Sequence, residues 1–157
     1  MTERRRVSDD GVMTRIGQAR MLLHGGDREE ARNRFGVLWQ EIGPEGDPLH
    51  RCTLAHYMAD AQDDPDTELA WDLRALSAAE GLAGERLAAH GSAAALRALY
   101  PSLHVNLAAD YVKLRQPEAA RIHLDRARRA SDHLDDDGYG NGVRAAIERL
   151  ELRLGDE

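Results

Sequence analysis

Apolar residues recur three and four positions apart in short blocks, and Gly, Pro and Asp separate the blocks. Met13, Ile16, Ala19, Leu22 and Leu23 form the first block, which Gly25 and Gly26 end. That spacing places one stripe on one face of a helix, whereas a strand would need alternation by two. Aromatic residues make up only 4% of the chain, and Ala, Leu, Arg and Glu are abundant. Those residue types lose little side-chain freedom in a helix, so the expectation is an all-α fold.

The punctuation gives the helix boundaries. Asp27 can accept from free amides at a helix start and Glu30 stands three residues on, the arrangement of a capping box. The helix it opens carries Ala31, Phe35, Leu38, Trp39 and Ile42, and Gly43, Pro44 and Gly46 break it. Asp47-Pro48 opens a third helix over 49–62. Asp64-Pro65 opens a fourth, with Leu69, Leu73 and Leu76 as its buried stripe and Trp71 at its edge. Gly81, Gly84 and Gly91 interrupt the next stretch, where a separate helix is expected at about 85–99. Pro101 is expected to start the next, through Leu103, Leu107, Tyr111 and Leu114, and Pro117 another, through Ala120, Leu124 and Ala127. An acidic, Gly-rich connector over 135–142 precedes a capping helix at about 141–154. Val143, Ile147, Leu150 and Leu154 form its stripe, and Arg144, Glu148, Arg149 and Glu151 face water. Arg4, Arg5, Arg6, Asp9 and Asp10 leave almost nothing to bury near the start, so 1–11 is expected as a disordered tail and 12–157 as one domain.

Charge and cysteine usage narrow the function classes. The 157 residues carry a net charge of −7, which repels nucleic-acid backbones and anionic lipid, so neither is an expected partner. The lone Cys52 excludes an internal disulfide and any zinc motif built on paired cysteines. No apolar run approaches the roughly 18 residues of a membrane span, and the first ten residues are charged, so a cytoplasmic location is expected.

The segment 101–134 places Leu107, Ala108, Tyr111, Ala120, Leu124 and Ala127 at the spacing of a two-helix unit. Small residues at Ala108, Ala120 and Ala127 let two helices approach while the large ones fill the seam. This pattern resembles the tetratricopeptide repeat. Ala19, Leu22, Gly26-Asp27, Ala31 and Phe35 give a weaker copy, with Gln18 where leucine is usual. Leu54, Ala55 and Met58 begin a third, which needs about three extra residues near 63–65. Ala19, Ala55 and Ala108 are separated by 36 and 53 residues, against about 34 for this repeat. The longer interval corresponds to one inserted helix, that at 85–99. The resemblance implies short helical hairpins wound into a right-handed superhelix, whose first helices line a groove that holds a peptide or protein segment. It implies no catalysis and no cofactor.

Carried onto this sequence, the groove positions are Arg20 and His24, then Cys52, His56 and Asp60, then Asn106 and Lys113. Mixed charge there suits pairing with a ligand's charges and hydrogen bonding to its backbone. A clamp for a terminal carboxylate is disfavoured: only Asn106 matches it, with Cys52, Thr53 and Ser102 at the other clamp positions. The same residues would equally suit a solvated face. A second reading is a regulatory or sensing module that binds a small ligand or metal among His24, Cys52, His56, Asp60 and His104. Cys52 and Asp60 alone are about 12 Å apart along a helix, too far to share an ion. A third is a self-associating structural protein stacking its terminal helices on a second copy. The loop over 137–148 puts Tyr139 and Arg144 where a calcium loop needs an oxygen ligand and an apolar residue. It also lacks the lysine of a phosphate loop. Arg121, Arg126, Arg128 and Arg129 read as a solvated face with ion pairs.

Overall fold

The computed structural model describes residues 2–83, 92–132 and 134–155, with side chains over 11–80, 98–132 and 134–155. Its seven helices are α1 (Thr2–His24), α2 (Arg28–Ile42), α3 (Pro48–Asp60), α4 (Pro65–Ala83), α5 (Ser92–Lys113), α6 (Pro117–Ser131) and α7 (Gly138–Gly155). The described residues contain no strand, and none of these helices is long and apolar enough to cross a membrane.

The aspartates start helices as their positions imply. Asp27 accepts from the Glu30 amide at 3.3 Å, Asp47 from the Leu49 amide at 2.8 Å, and Asp64 from the Thr67 amide and hydroxyl at 3.1 and 2.9 Å. The capping box at Asp27 is only half made, because the Asp27 amide donates to the Leu22 carbonyl and the Glu30 carboxylate pairs with Arg34. Gly26 and Gly43 have φ of 95° and 70°, the left-handed conformation that lets α1 and α2 end in tight turns.

Four expectations are corrected. Helix α1 begins at Thr2, so the segment 1–11 carries helical backbone from its second residue, Met1 lying outside the described residues. Straight-chain residues such as Glu3 and Arg4 to Arg6 extend an already packed helix at one hydrogen bond per residue fixed. The helix expected at 85–99 is not separate: residues 92–99 belong to α5, which runs on through Pro101, while 84–91 lie outside the described residues. Pro101 removes one helical hydrogen bond, and its wholly buried ring contributes packing instead. The third correction concerns α4, where Leu73 is 41% exposed and Asp72 only 1%. The buried face is Asp72, Ala75, Leu76 and Ala79, rotated one residue from the leucine stripe. Last, α7 starts at Gly138 instead of about 141. Asp137 accepts from the Gly140 amide at 2.7 Å, and a side chain on Gly140 would sit 2.2 Å from the Asp135 carbonyl, so glycine is required where the connector turns into helix.

Three core clusters succeed one another along the chain. Ile16, Ala19, Phe35, Leu38, Leu54 and Met58 join α1, α2 and α3. Cys52, Ala55, Ala75, Leu76, Leu103 and Leu107 join α3, α4 and α5. Ala108, Val112, Ala120, Leu124, Ala127, Val143 and Ile147 join α5, α6 and α7. Each helix packs on the next, and in addition α1 on α3, α3 on α5 and α5 on α7. Among the described residues the backbone of α1 approaches neither α6 nor α7, so the hairpins form a row and do not close around one axis. Trp39 of α2 meets Trp71 of α4 edge to face at 5.1 Å, each ring carrying an arginine, Arg51 and Arg74, on its face at 4.4 Å.

Ala19, Ala55, Ala108, Ala120 and Ala127 are all wholly buried where helices meet. Adding bulk there must force the helices apart. Ala55→Leu is expected to lower unfolding stability by about 1–3 kcal/mol in urea titration, and an unchanged midpoint would contradict this packing.

Candidate functional site

Helices α3 and α7 both pack on α5, and among the described residues their backbones do not meet. A cavity of about 350 Å³ fills the gap. His56 and Asp60 come from α3, Ser102, Val105 and Asn106 from α5, and Gly138, Tyr139, Gly142, Val143 and Ala146 from α7. The spacing of four between His56 and Asp60, and between Ser102 and Asn106, puts each pair on one helix face. The three small residues of α7 keep the opposite wall open, and a side chain built on Gly142 would meet nothing within 4 Å.

The polar groups of this wall hold one another. The Asn106 amide nitrogen lies 3.2 Å from His56 Nδ1. An amide nitrogen can only donate, so His56 accepts at Nδ1 and carries its proton on Nε2. Burial, helped by the positive charge of Arg20, pushes the His56 pKa down to about 4, so the ring is neutral at pH 7. The Tyr139 hydroxyl is 2.5 Å from Ser102 Oγ and donates to the Ala98 carbonyl, also at 2.5 Å. Burial and the charge of Glu68 raise the pKa of Asp60 above the usual carboxylate range, although its surface remains exposed.

Of the seven residues expected in the groove, His56, Asp60 and Asn106 come together here. Arg20 is exposed on α1 and lies over the Tyr57 ring at 4.6 Å, and His24 is exposed at the end of the same helix. Lys113 is half-exposed and pairs with Glu68 at 2.8 Å. Cys52 is wholly buried among Ala55, Ala75, Leu76, Leu103 and Leu107, with its thiol pushed up to about 12 by burial. It lies one turn before His56, where α4 and α5 cover α3, so it is not a groove residue. Nor are His24, Cys52, His56, Asp60 and His104 gathered into one ligand set. His104 faces α6, its Nδ1 3.0 Å from His123 Nδ1, in a stack that runs Tyr100, His104, His123, Tyr111.

Three further functional candidates carry no motif in the sequence. Glu68 and Asp72 of α4 and Asp110 of α5 turn carboxylate oxygens to one place, one from each lying within 4.8 Å of the others. Asp72 and Asp110 are each 1% exposed, and among the described residues no donor outside the acids themselves reaches any of their four oxygens. Burial is the largest cause raising both; the hydrogen bond and charge of Asp110 raise Asp72 further, whereas the hydrogen bond from Asp72 works to lower Asp110, and the two carboxyl groups lie close enough to share a proton. The available signal was position. Glu68 and Asp72 are four apart, Asp110 stands four after Asn106, and both aspartates fall in register with buried alanines and leucines.

The chain matches no family model, no curated protein and no solved structure in these comparisons.

The histidine pair of α5 and α6 has a pH consequence. With both rings neutral, one Nδ1–H donates to the other Nδ1, but protonating the acceptor ring sets an N–H of the resulting cation against the neighbouring N–H. Burial and the neighbouring His123 hold His104 at about 4, below its unfolded value near 6.5. A depressed histidine leaves stability intact above about 6.5, and stability is lost as pH falls toward 4 because only the unfolded chain takes up the proton. Relative to a His104→Gln variant, the wild-type Tm is expected to fall between pH 7 and pH 5. A constant difference would mean that His104 titrates alike in both states.

Proposed function

We propose that this chain is a non-enzymatic binding module that holds a peptide segment of a partner protein in the cleft bounded by α3, α5 and α7. The observation that carries the reading is the cavity itself. It has the hydrogen-bonding groups of His56, Asp60, Ser102 and Asn106 on the α3 and α5 side and glycines on the α7 side, where a ligand backbone can approach. The likeness of 101–134 to tetratricopeptide repeats supports it, as does the stacking of alternate helices α1, α3, α5 and α7 along one side of the row.

The chemistry of the lining favours binding over catalysis. His56 is neutral and committed to Asn106, the Ser102 hydroxyl is engaged by Tyr139 and not by a base, and the Cys52 thiol is sealed in the core. Neutral donors and acceptors suit peptide amides and carbonyls, while Asp60 adds a carboxyl group for orientation. At about 350 Å³ the cavity is at the small end of ligand pockets, which run to about 1,000 Å³. It therefore takes one or two side chains of an extended segment.

Gly142 gives a test that separates binding from folding. Leucine there would fill the cavity, yet the backbone is helical and the change removes up to about 1 kcal/mol of glycine's helix cost. Peptides selected from a displayed library on the wild-type chain are expected to lose at least about tenfold in affinity on Gly142→Leu, with Tm equal or higher. A selection that yields no binder, or binders indifferent to both Gly142→Leu and Asn106→Ala, would refute the cleft as the recognition site.

A further inference from the structure

We infer that Glu68, Asp72 and Asp110 form a binding site for a hard divalent cation of calcium type, with manganese as its spectroscopic probe, set in the joint between α4 and α5. The inference is independent of the peptide cleft. It rests on two separate observations. The first is convergence: three carboxylates from two helices place oxygens within 4.8 Å of one another. The second is that all four oxygens of Asp72 and Asp110 are sealed from solvent without a donor outside the acids themselves among the described residues. Buried polar atoms are otherwise almost always satisfied, and a single proton serves at most two of these four oxygens, whereas a divalent cation serves oxygens of both groups at once.

Ligand type and coordination geometry select among ions. Two oxygens on one ion cannot be farther apart than twice the metal–oxygen distance. Oxygens within 4.8 Å of one another lie inside that ceiling for calcium, about 4.6–5.2 Å, and calcium's flexible geometry accepts an irregular carboxylate set where magnesium demands a near-ideal octahedron. An all-oxygen set without imidazole or thiolate also disfavours zinc. The approach is from the Glu68 side, where that side chain is 17% exposed and the Lys113 ammonium stands 2.8 Å from its carboxylate. Lys113 marks the place as one that attracts positive charge, and it competes with an ion for Glu68. With the ion bound, α4 and α5, which belong to successive hairpins, are tied by ligands as well as by packing.

The untagged full chain, freed of metal by chelation, is titrated with calcium, manganese and magnesium, with heat of binding, loss of the free manganese spin-resonance signal and Tm as readouts. One calcium or manganese per chain, with a rise in Tm and weaker magnesium binding, is expected. Asp72→Asn and Asp110→Asn keep shape and remove buried charge. Each should weaken binding by at least about tenfold while leaving Tm in chelator unchanged or raised. Lys113→Met should bind more tightly. No binding up to about 1 mM ion, or equal binding by the wild-type and Asn chains, overturns the site and leaves the aspartates as a proton-sharing pair.

Discussion

Alanine at the helix crossings sets how near the rods of this molecule can come, and the remaining geometry depends on that distance. Ala19, Ala55 and Ala108 lie wholly buried on α1, α3 and α5, with Ala120 and Ala127 on α6. A methyl group at each crossing lets Phe35, Leu54, Leu107 and Leu124 reach across the seam and fill it. The three clusters that result share helices: α3 belongs to the first two and α5 to the last two. Packing is thus passed along the row through odd-numbered helices. Because α3 and α7 are both seated on α5 without reaching each other, the same rule that joins the hairpins opens the cavity between them.

Set in this apolar framework is a polar interior that opposes folding. Leaving a buried acceptor unpaired costs about 1–3 kcal/mol, more when it is charged, and Asp72 and Asp110 bring four such oxygens together. An apolar residue at either place would be the stabilising choice, so the pair stores a need for a positive partner, whether a proton or an ion. The two systems adjoin. Asp60, on the cavity wall, feels the charge of Glu68, and Lys113 acts on Glu68, Asp60 and Asp110. Filling either site would alter the field in the other.

Helix starts, capping aspartates and the alanine positions were legible because each is a local property. A capping oxygen reaches amides two or three residues away, and an apolar stripe is read within one helix. The cleft residues His56, Asp60 and Asn106 were legible through their register on α3 and α5. Asp72 and Asp110 were not, because an aspartate is ordinarily a surface residue and nothing local marks the side of α4 that meets α5. The leucines of α4 suggested a stripe through Leu73, yet tertiary packing turns the helix by one position and buries Asp72. Cys52 departs from its register for a related reason: it shares a face with His56, but α4 and α5 cover only its end of that face. Pro101 looked like a helix start, since its sequence signal is the same whether the ring opens a helix or is embedded in one.

By itself, then, the sequence determined that this chain is helical, where most helices begin, and which small residues permit close crossings. These follow from backbone sterics and hydrogen bonding within a few residues. Only the tertiary structure decided which face of each helix is covered, that Ser92 to Lys113 is one rod, and that Glu68, Asp72 and Asp110 converge. Burial and convergence arise from contacts between residues far apart in the chain, and no local preference encodes the rotation of one helix against another.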